Sequence, residues 1–209
     1  MEFSPLKYIY KSSGLEKAPT LLLLHGTGGN ENDLLPFADH FGDKTNVLSV
    51  RGNVSENGMP RFFKRLGMGI FDEQDLEFRT HELVDFVTGL SKTEHFDLDK
   101  IVALGYSNGA NIAGSMLVLH PDFLAGAILF RPMKPFAGKE FRRTNNNVPI
   151  LMTSGKLDPT VDLNDIEKYA ALLQDAGFNV ESHTIPTGHN LAQSDLQLAS
   201  DWFGKHFKK

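Results

Sequence analysis

The 209-residue sequence contains no cysteine. Composition alone therefore excludes disulfides, a thiolate nucleophile, iron–sulfur clusters and cysteine-ligated zinc. It has no run approaching 18 apolar residues, the length at which a membrane-spanning helix becomes a candidate. The opening MEFSPLKYIYKSSG lacks the apolar stretch of a secretory signal, so a cytoplasmic location without membrane insertion is expected. A basic excess is missing too: 21 Lys and Arg face 26 Asp and Glu, a net charge of −5. No nucleic-acid or anionic-membrane partner is expected from that balance. The 19 glycines and 10 prolines fall well short of a collagenous or low-complexity composition. What is present is 41% hydrophobic and 22% charged residues, enough to fill a core and too little charge for a disordered chain. The length suits one domain over residues 1–209.

Short apolar runs recur at TLLLLHG (20–26), TNVLSV (45–50), KIVALG (100–105), LAGAILF (124–130) and VPILMTSG (148–155). Continuous apolar runs of this length, each followed by turn residues, read as strands buried on both faces of a parallel sheet. Lys7 to Tyr10 adds an edge strand and Asn179 to Ile185 a late one, about seven in all. Helical spacing lies between them. From Glu73 to Leu90, residues Leu76, Leu83, Phe86, Val87 and Leu90 share a stripe; from Asp162 to Ala176, residues Ile166, Tyr169, Ala170 and Leu173 do so, with Gly177 as the stop. A last helix, about Ala192 to His206, carries Leu196, Ala199, Trp202 and Phe203, with Trp202 read as a core anchor rather than a ligand platform. The terminal KHFKK reads as a solvated helix end. This alternation predicts a three-layer α/β/α fold with a mostly parallel central sheet. Two stretches, Arg51 to Arg65 and Arg131 to Asn147, are irregular and follow strands. They read as loops at the carboxyl ends of the sheet, where such folds hold their chemistry.

Gly105-Tyr106-Ser107-Asn108-Gly109 follows the strand KIVAL and precedes the helical NIAGSMLVLH. This is Gly-x-Ser-x-Gly in a strand–turn–helix setting. The glycines allow a turn tight enough to hold Ser107 in a strained conformation with its hydroxyl above the sheet. A serine hydroxyl needs a base within about 3 Å and an acid to orient that base. Asp158 follows the strand VPILMTSG directly, whereas Asp162 and Asp165 fit the first turn of a helix and Asp195 is expected to face solvent on another. Among the histidines, His183 lies within a strand, and His81, His95, His120 and His206 lie on helices or their edges. His189, in PTGHN after the last strand, is the one in the right loop. The chain order Ser107, Asp158, His189 is that of a serine hydrolase.

Leu24-His25-Gly26-Thr27-Gly28-Gly29 also ends a strand. A glycine-rich turn there aims backbone amides inward, which an oxyanion hole requires. We assign its donors to the N–H groups of Thr27 and Asn108, and read His25 as a brace for the turn. GTGGNEND lacks the Gly-x-Gly-x-x-Gly spacing and the Gly-Lys-Ser/Thr of a phosphate loop, and no His-Glu-x-x-His is present, so no nucleotide or metal site is predicted.

On these residues the chain resembles the α/β-hydrolase superfamily and, within it, the phospholipase/carboxylesterase family of acyl-protein thioesterase-like enzymes and small bacterial esterases. The resemblance runs nearly end to end, through LLLLHGTGGNENDLLPFA, RGNVSENGMPRFFKR, GYSNGA, TSGKLDPTV and PTGHNL. It implies a hydrolase fold and a serine carboxylesterase for small to medium esters, working through an acyl-enzyme. Acyl-thioesterase or lysophospholipase activity with the same triad is the alternative, and a non-catalytic binding protein is the reading from another class. By the same match Ser107 looks like the nucleophile, Asp158 the acid, His189 the base, and Thr27 and Asn108 the oxyanion donors, with no metal or cofactor. Arg51, Asn53, Asn57, Gly58 and Met59 line or support the site in the resembling bacterial branch, a turn role being their alternative. Gly26 and Tyr106 are further substrate-binding candidates. The elbow GYSNGA stands where the eukaryotic branch commonly has GFSQGG, a departure that touches acyl-chain specificity and not triad chemistry. Sixteen phenylalanines and the resemblance together lead to the expectation of a C2 homodimer. With so much of the length taken by strands and helices, no span remains for a substantial cap, and an open site is expected.

Overall fold

Each long apolar run becomes a strand because both of its faces are covered. The computed structural model describes residues 5–208; residues 1–4, which open the stretch compared above with a secretory signal, and Lys209 of the basic end lie outside the described residues. In chain order the elements are β1 (Tyr8–Lys11), β2 (Thr20–Leu24), α1 (Leu35–Ala38), β3 (Asn46–Val50), β4 (Val54–Glu56), β5 (Met59–Arg61), β6 (Arg65–Gly67), β7 (Ile70–Phe71), α2 (Glu73–Glu94), β8 (Ile101–Tyr106), α3 (Asn108–Leu119), β9 (Gly126–Phe130), β10 (Pro149–Gly155), α4 (Leu163–Asp175), β11 (Asn179–Ile185) and α5 (Gln193–Phe207). Seven strands form one sheet in the order β1-β3-β2-β8-β9-β10-β11. All neighbours are parallel except β1, which runs antiparallel to β3.

In β2 the alternation of side chains divides four fully buried leucines between two layers. Leu22 and Leu24 pack with Leu83 and Val87 of α2, Met116 of α3 and Leu173 of α4. Leu21 and Leu23 pack on the other side with Leu34 and Phe41 near α1 and with Ala199, Trp202 and Phe203 of α5. Trp202 is thus the core anchor expected of it. At about 1.5–3 kcal/mol per buried leucine, β2 is strongly fixed, and the glycine turn that leaves it inherits that rigidity. The helices start where their acids predict. Asp72 caps α2 by accepting from Asp75 N at 3.1 Å, and Asp162 caps α4 by accepting from Asn164 N at 2.9 Å. Gly177, at φ +96°, follows α4. Among the described residues no helix is long and apolar enough to cross a membrane.

Three findings depart from the sequence reading. Residues 51–65 are not simply loop: β4 and β5 pair antiparallel across Asn57-Gly58, both at positive φ, the two-residue hairpin that Asn-Gly favours. A second small hairpin, β6–β7, follows it. No large cap domain is seen among the described residues. Asp195 does not face solvent. It is fully buried in the first turn of α5, paired with the equally buried Arg131 at 2.7 Å, because a cation from the loop after β9 is there to meet it. Finally, every phenylalanine among the described residues is buried or half-buried, so the aromatic surplus is accommodated inside the fold and gives no ground of its own for a dimer.

Candidate active site

The chain leaves β8 at Tyr106 and enters α3 at Asn108, with Ser107 alone between them at φ +52°, ψ −111°. That left-handed backbone in a non-glycine residue is strained, and the crossing is tight enough to require both neighbouring glycines. A Cβ on Gly105 would sit 2.4 Å from Gly109 O; one on Gly109 would sit 1.9 Å from Leu24 O. The Ser107 N–H is held by Phe130 O at 2.9 Å, tying the elbow to the end of β9.

The structure brings Ser107, His189 and Asp158 into one hydrogen-bonded row. His189 Nε2 lies 3.0 Å from Ser107 Oγ, and Nδ1 lies 2.7 Å from Asp158 Oδ2. With Nδ1–H donating to the carboxylate, Nε2 is the acceptor for the serine hydroxyl. The Asp158 side chain is almost wholly buried. Burial pushes its carboxyl up, but hydrogen bonds from the Thr160 hydroxyl (2.6 Å), His189 and the Thr160 N–H (2.9 Å) outweigh burial and hold it below the ordinary value. It is therefore ionised and fixed beside the imidazole.

The turn that carries Thr27 and the elbow that carries Asn108 lie against each other. A Cβ on Gly26 would lie 2.9 Å from the Tyr106 ring, so the turn after β2 rests directly on the elbow. Among the described residues neither the Thr27 nor the Asn108 N–H meets an acceptor. Three successive residues of the β4–β5 hairpin and its exit brace the pair. Pro60 O accepts from Gly28 N at 2.9 Å, Arg61 Nη1 donates to Thr27 Oγ1 at 2.8 Å, and Phe62 N donates to Asn108 Oδ1 at 2.8 Å. His25 braces the turn from below: Nδ1–H donates to Gly26 O at 2.6 Å and Nε2 accepts from Gly52 N at 3.0 Å. Burial pushes the His25 pKa down and keeps the ring in that neutral form.

The other candidates are placed as follows. Gly26, Thr27 and Tyr106 line a cleft of about 320 Å³ with Leu34, Phe37 and Leu191. Met59 is partly exposed and its side chain lies beside Gly28. Arg51 is engaged by Glu31, and Asn53 donates to Glu82 at 3.2 Å. Asn57 forms the hairpin turn with Gly58. Sequence reasoning missed Thr160, Arg61 and Arg131. Only Thr160 had a local signal, a hydroxyl two residues after an acid, the spacing of an Asx turn. Among the described residues no three His, Asp or Glu side chains gather as a metal site.

A serine on a strained strand-to-helix turn above a parallel sheet, with an acid and a histidine on later loops, is the arrangement of the α/β hydrolases. The chain belongs to the phospholipase/carboxylesterase family, whose model matches residues 9–207. It is 43% identical over 198 residues to the MhqD protein of Bacillus subtilis (strain 168), an alignment covering 95% of this chain and 98% of that one. The crystal structure of the Bacillus cereus carboxylesterase superposes with a TM-score of 0.93 at 45% identity, covering 97% of this chain and 95% of that chain. Acyl-protein thioesterase 1 of Debaryomyces hansenii is 30% identical over 117 residues, 53% of this chain and 50% of its own length. Family membership supports hydrolase activity on ester substrates.

Proposed function

We propose that the protein is a serine carboxylesterase that cleaves small to medium esters through an acyl-enzyme. The observation that carries this reading is the row Ser107 Oγ, His189 Nε2, His189 Nδ1, Asp158 Oδ2, with links of 3.0 and 2.7 Å. His189 takes the Ser107 proton as Oγ attacks the ester carbonyl, and Asp158 stabilises the imidazolium that results. The Thr27 and Asn108 N–H groups receive the oxyanion, each such donor being worth about 2.7–4 kcal/mol in the transition state. His189 then protonates the leaving alcohol. Water, deprotonated by the same ring, releases the acid and restores Ser107. Turnover of p-nitrophenyl acetate and butyrate that falls to background in Ser107→Ala is the expected result; turnover retained in that variant overturns the reading.

One observation favours acyl-thioester substrates as a second reading. Beyond Thr160, which touches both Asp158 and His189, a groove of about 680 Å³ runs over Val161, Ile166, Ala171 and Leu172. Its lining also includes Lys134, Asp162, Asp165, Lys168 and Asp175, and its apolar part offers a bed for a longer chain. A chain-length series of matched esters and thioesters separates the readings: kcat/KM rising with chain length and higher for thioesters supports the second, and a preference for short esters supports the first.

A further inference from the structure

A fully satisfied buried polar network is built on Arg131. Its side chain is wholly buried, on a backbone that is itself left-handed at φ +55°. A guanidinium taken out of water is costly unless its donors are matched, and here all five N–H groups have acceptors. Nη1 reaches Asp195 Oδ1 at 2.7 Å and Thr153 Oγ1 at 2.9 Å. Nη2 reaches Asp195 Oδ2 at 2.8 Å and Asn190 O at 3.0 Å. Nε reaches Gly188 O at 3.2 Å. Asp195 is completed by the Thr153 hydroxyl at 2.6 Å and the Ala192 N–H at 2.8 Å.

The two backbone carbonyls in this network belong to the residues immediately before and after His189. The His189 carbonyl between them accepts from the Tyr106 hydroxyl at 3.3 Å. Three consecutive carbonyls of the histidine loop are thus each held by a side chain, two of them by one planar fork. The His189 side chain is 34% exposed; its ring is met by Asp158, Thr160 and the Tyr106 ring, and the backbone that carries it is held by Arg131 and Tyr106. We infer that Arg131, oriented by Asp195, is a positioning residue for the base: it fixes the Gly188–His189 and Asn190–Leu191 peptide units on either side of His189 and so keeps Nε2 at 3.0 Å from Ser107 Oγ. The carboxylate also neutralises the guanidinium, so the clamp adds no net charge next to an imidazolium forming on His189. This inference rests on the serine-esterase reading above.

The test uses Arg131→Lys, which keeps the charge and loses the fork, and the double variant Arg131→Met/Asp195→Leu, which fills the same space without charge. Apolar replacement of a buried ion pair is often neutral or stabilising, but here it also takes a partner from Gly188 O, Asn190 O, the Thr153 hydroxyl and the Ala192 N–H, so the double variant is expected to fold with a lowered Tm. In both variants kcat for p-nitrophenyl acetate, measured on protein shown folded by near-UV circular dichroism, is expected to fall about 10- to 100-fold, the scale of loss from an ångström of misplacement. KM stays within about twofold, and fluorophosphonate labelling of Ser107 slows in proportion. If a folded variant keeps wild-type kcat, Arg131 is a structural ion pair and the inference is overturned; whichever variant folds decides. Ser107→Ala in the same assay separates the two claims. Undiminished turnover there sinks the esterase reading, whereas a dead Ser107→Ala beside fully active Arg131 variants sinks the clamp alone.

Discussion

Gly109 is the position at which the elbow tolerates least. A methyl there would lie 1.9 Å from Leu24 O and 2.7 Å from His25 O, both backbone atoms, where ordinary contact begins near 3.4 Å. In Gly109→Ala the start of α3 has to back away from the end of β2 by about 1.5 Å, because the leucines of β2 are packed on both faces and cannot yield in its place. Ser107 adjoins that helix start and moves with it, so its 3.0 Å link to His189 opens past hydrogen-bond range. The Asn108 N–H withdraws from the Thr27 turn in the same motion. An ångström of misplacement costs about 10²-fold in rate, and overpacking of this kind costs about 1–3 kcal/mol of stability. At roughly 2–4 °C per kcal/mol for a chain of this size, the Tm falls by several degrees. The assay is kcat for p-nitrophenyl acetate on the folded variant, with thermal unfolding alongside. A Gly109→Ala protein with kcat within about threefold of wild type would refute the reasoning, since the crossing would then have given way without moving Ser107.

Thr160→Val keeps the shape of the side chain and removes the 2.6 Å donor on Asp158 while leaving the Thr160 N–H at 2.9 Å. A hydrogen bond to a carboxylate contributes about 1.5–3 kcal/mol, and a kcat loss of roughly tenfold is expected; an unchanged kcat contradicts it. The same variant has a signed pH effect. The Asp158 carboxyl is held below its ordinary 3.8 when folded, so it contributes stability above about that pH, and the contribution is lost as pH falls through the lower folded value. Without the hydroxyl the folded value climbs, and the acid-unfolding midpoint moves to higher pH. In the opposite direction, Gly89 of α2 has nothing within 4 Å of where its Cβ would stand. Gly89→Ala is expected to gain about 0.5–1 kcal/mol by urea unfolding, and a loss of stability would show that the helix is constrained there in a way its surroundings do not reveal.

The contrast between Asp165 and Asp195 marks where local reading stops. Each is an acid in the first turn of a helix, and the local signal for both is an exposed residue favoured by the helix dipole. Asp165 is indeed 68% exposed and pairs with Lys168 on its own helix. Asp195 is fully buried because Arg131, 64 residues away, arrives beneath it. Nothing in the local spacing distinguishes the two. The β4–β5 hairpin is a different case. Asn57-Gly58 is a strong turn signal, set among polar residues and a proline that read as loop, and its importance lies in long-range bonds linking Pro60, Arg61 and Phe62 to Gly28, Thr27 and Asn108.

By itself the sequence pointed to the parallel sheet, since short apolar runs, each followed by turn residues, alternate with helical stripes. It determined the elbow, since only glycines at 105 and 109 let the chain cross so close to Leu24. It also marked out Ser107, Asp158 and His189 as the residues on the right loops in the right order. Those features follow from periodicity and sterics, which act within a few residues, and from the order of the loops along the chain. Tertiary structure alone decided how firmly the site is held: Thr160 on Asp158, the residues 60–62 brace on the Thr27 turn, and the buried Arg131 on both sides of His189. These depend on burial and on partners far apart in the chain, where a polar group is driven to find its mate by the cost of leaving it unpaired away from water.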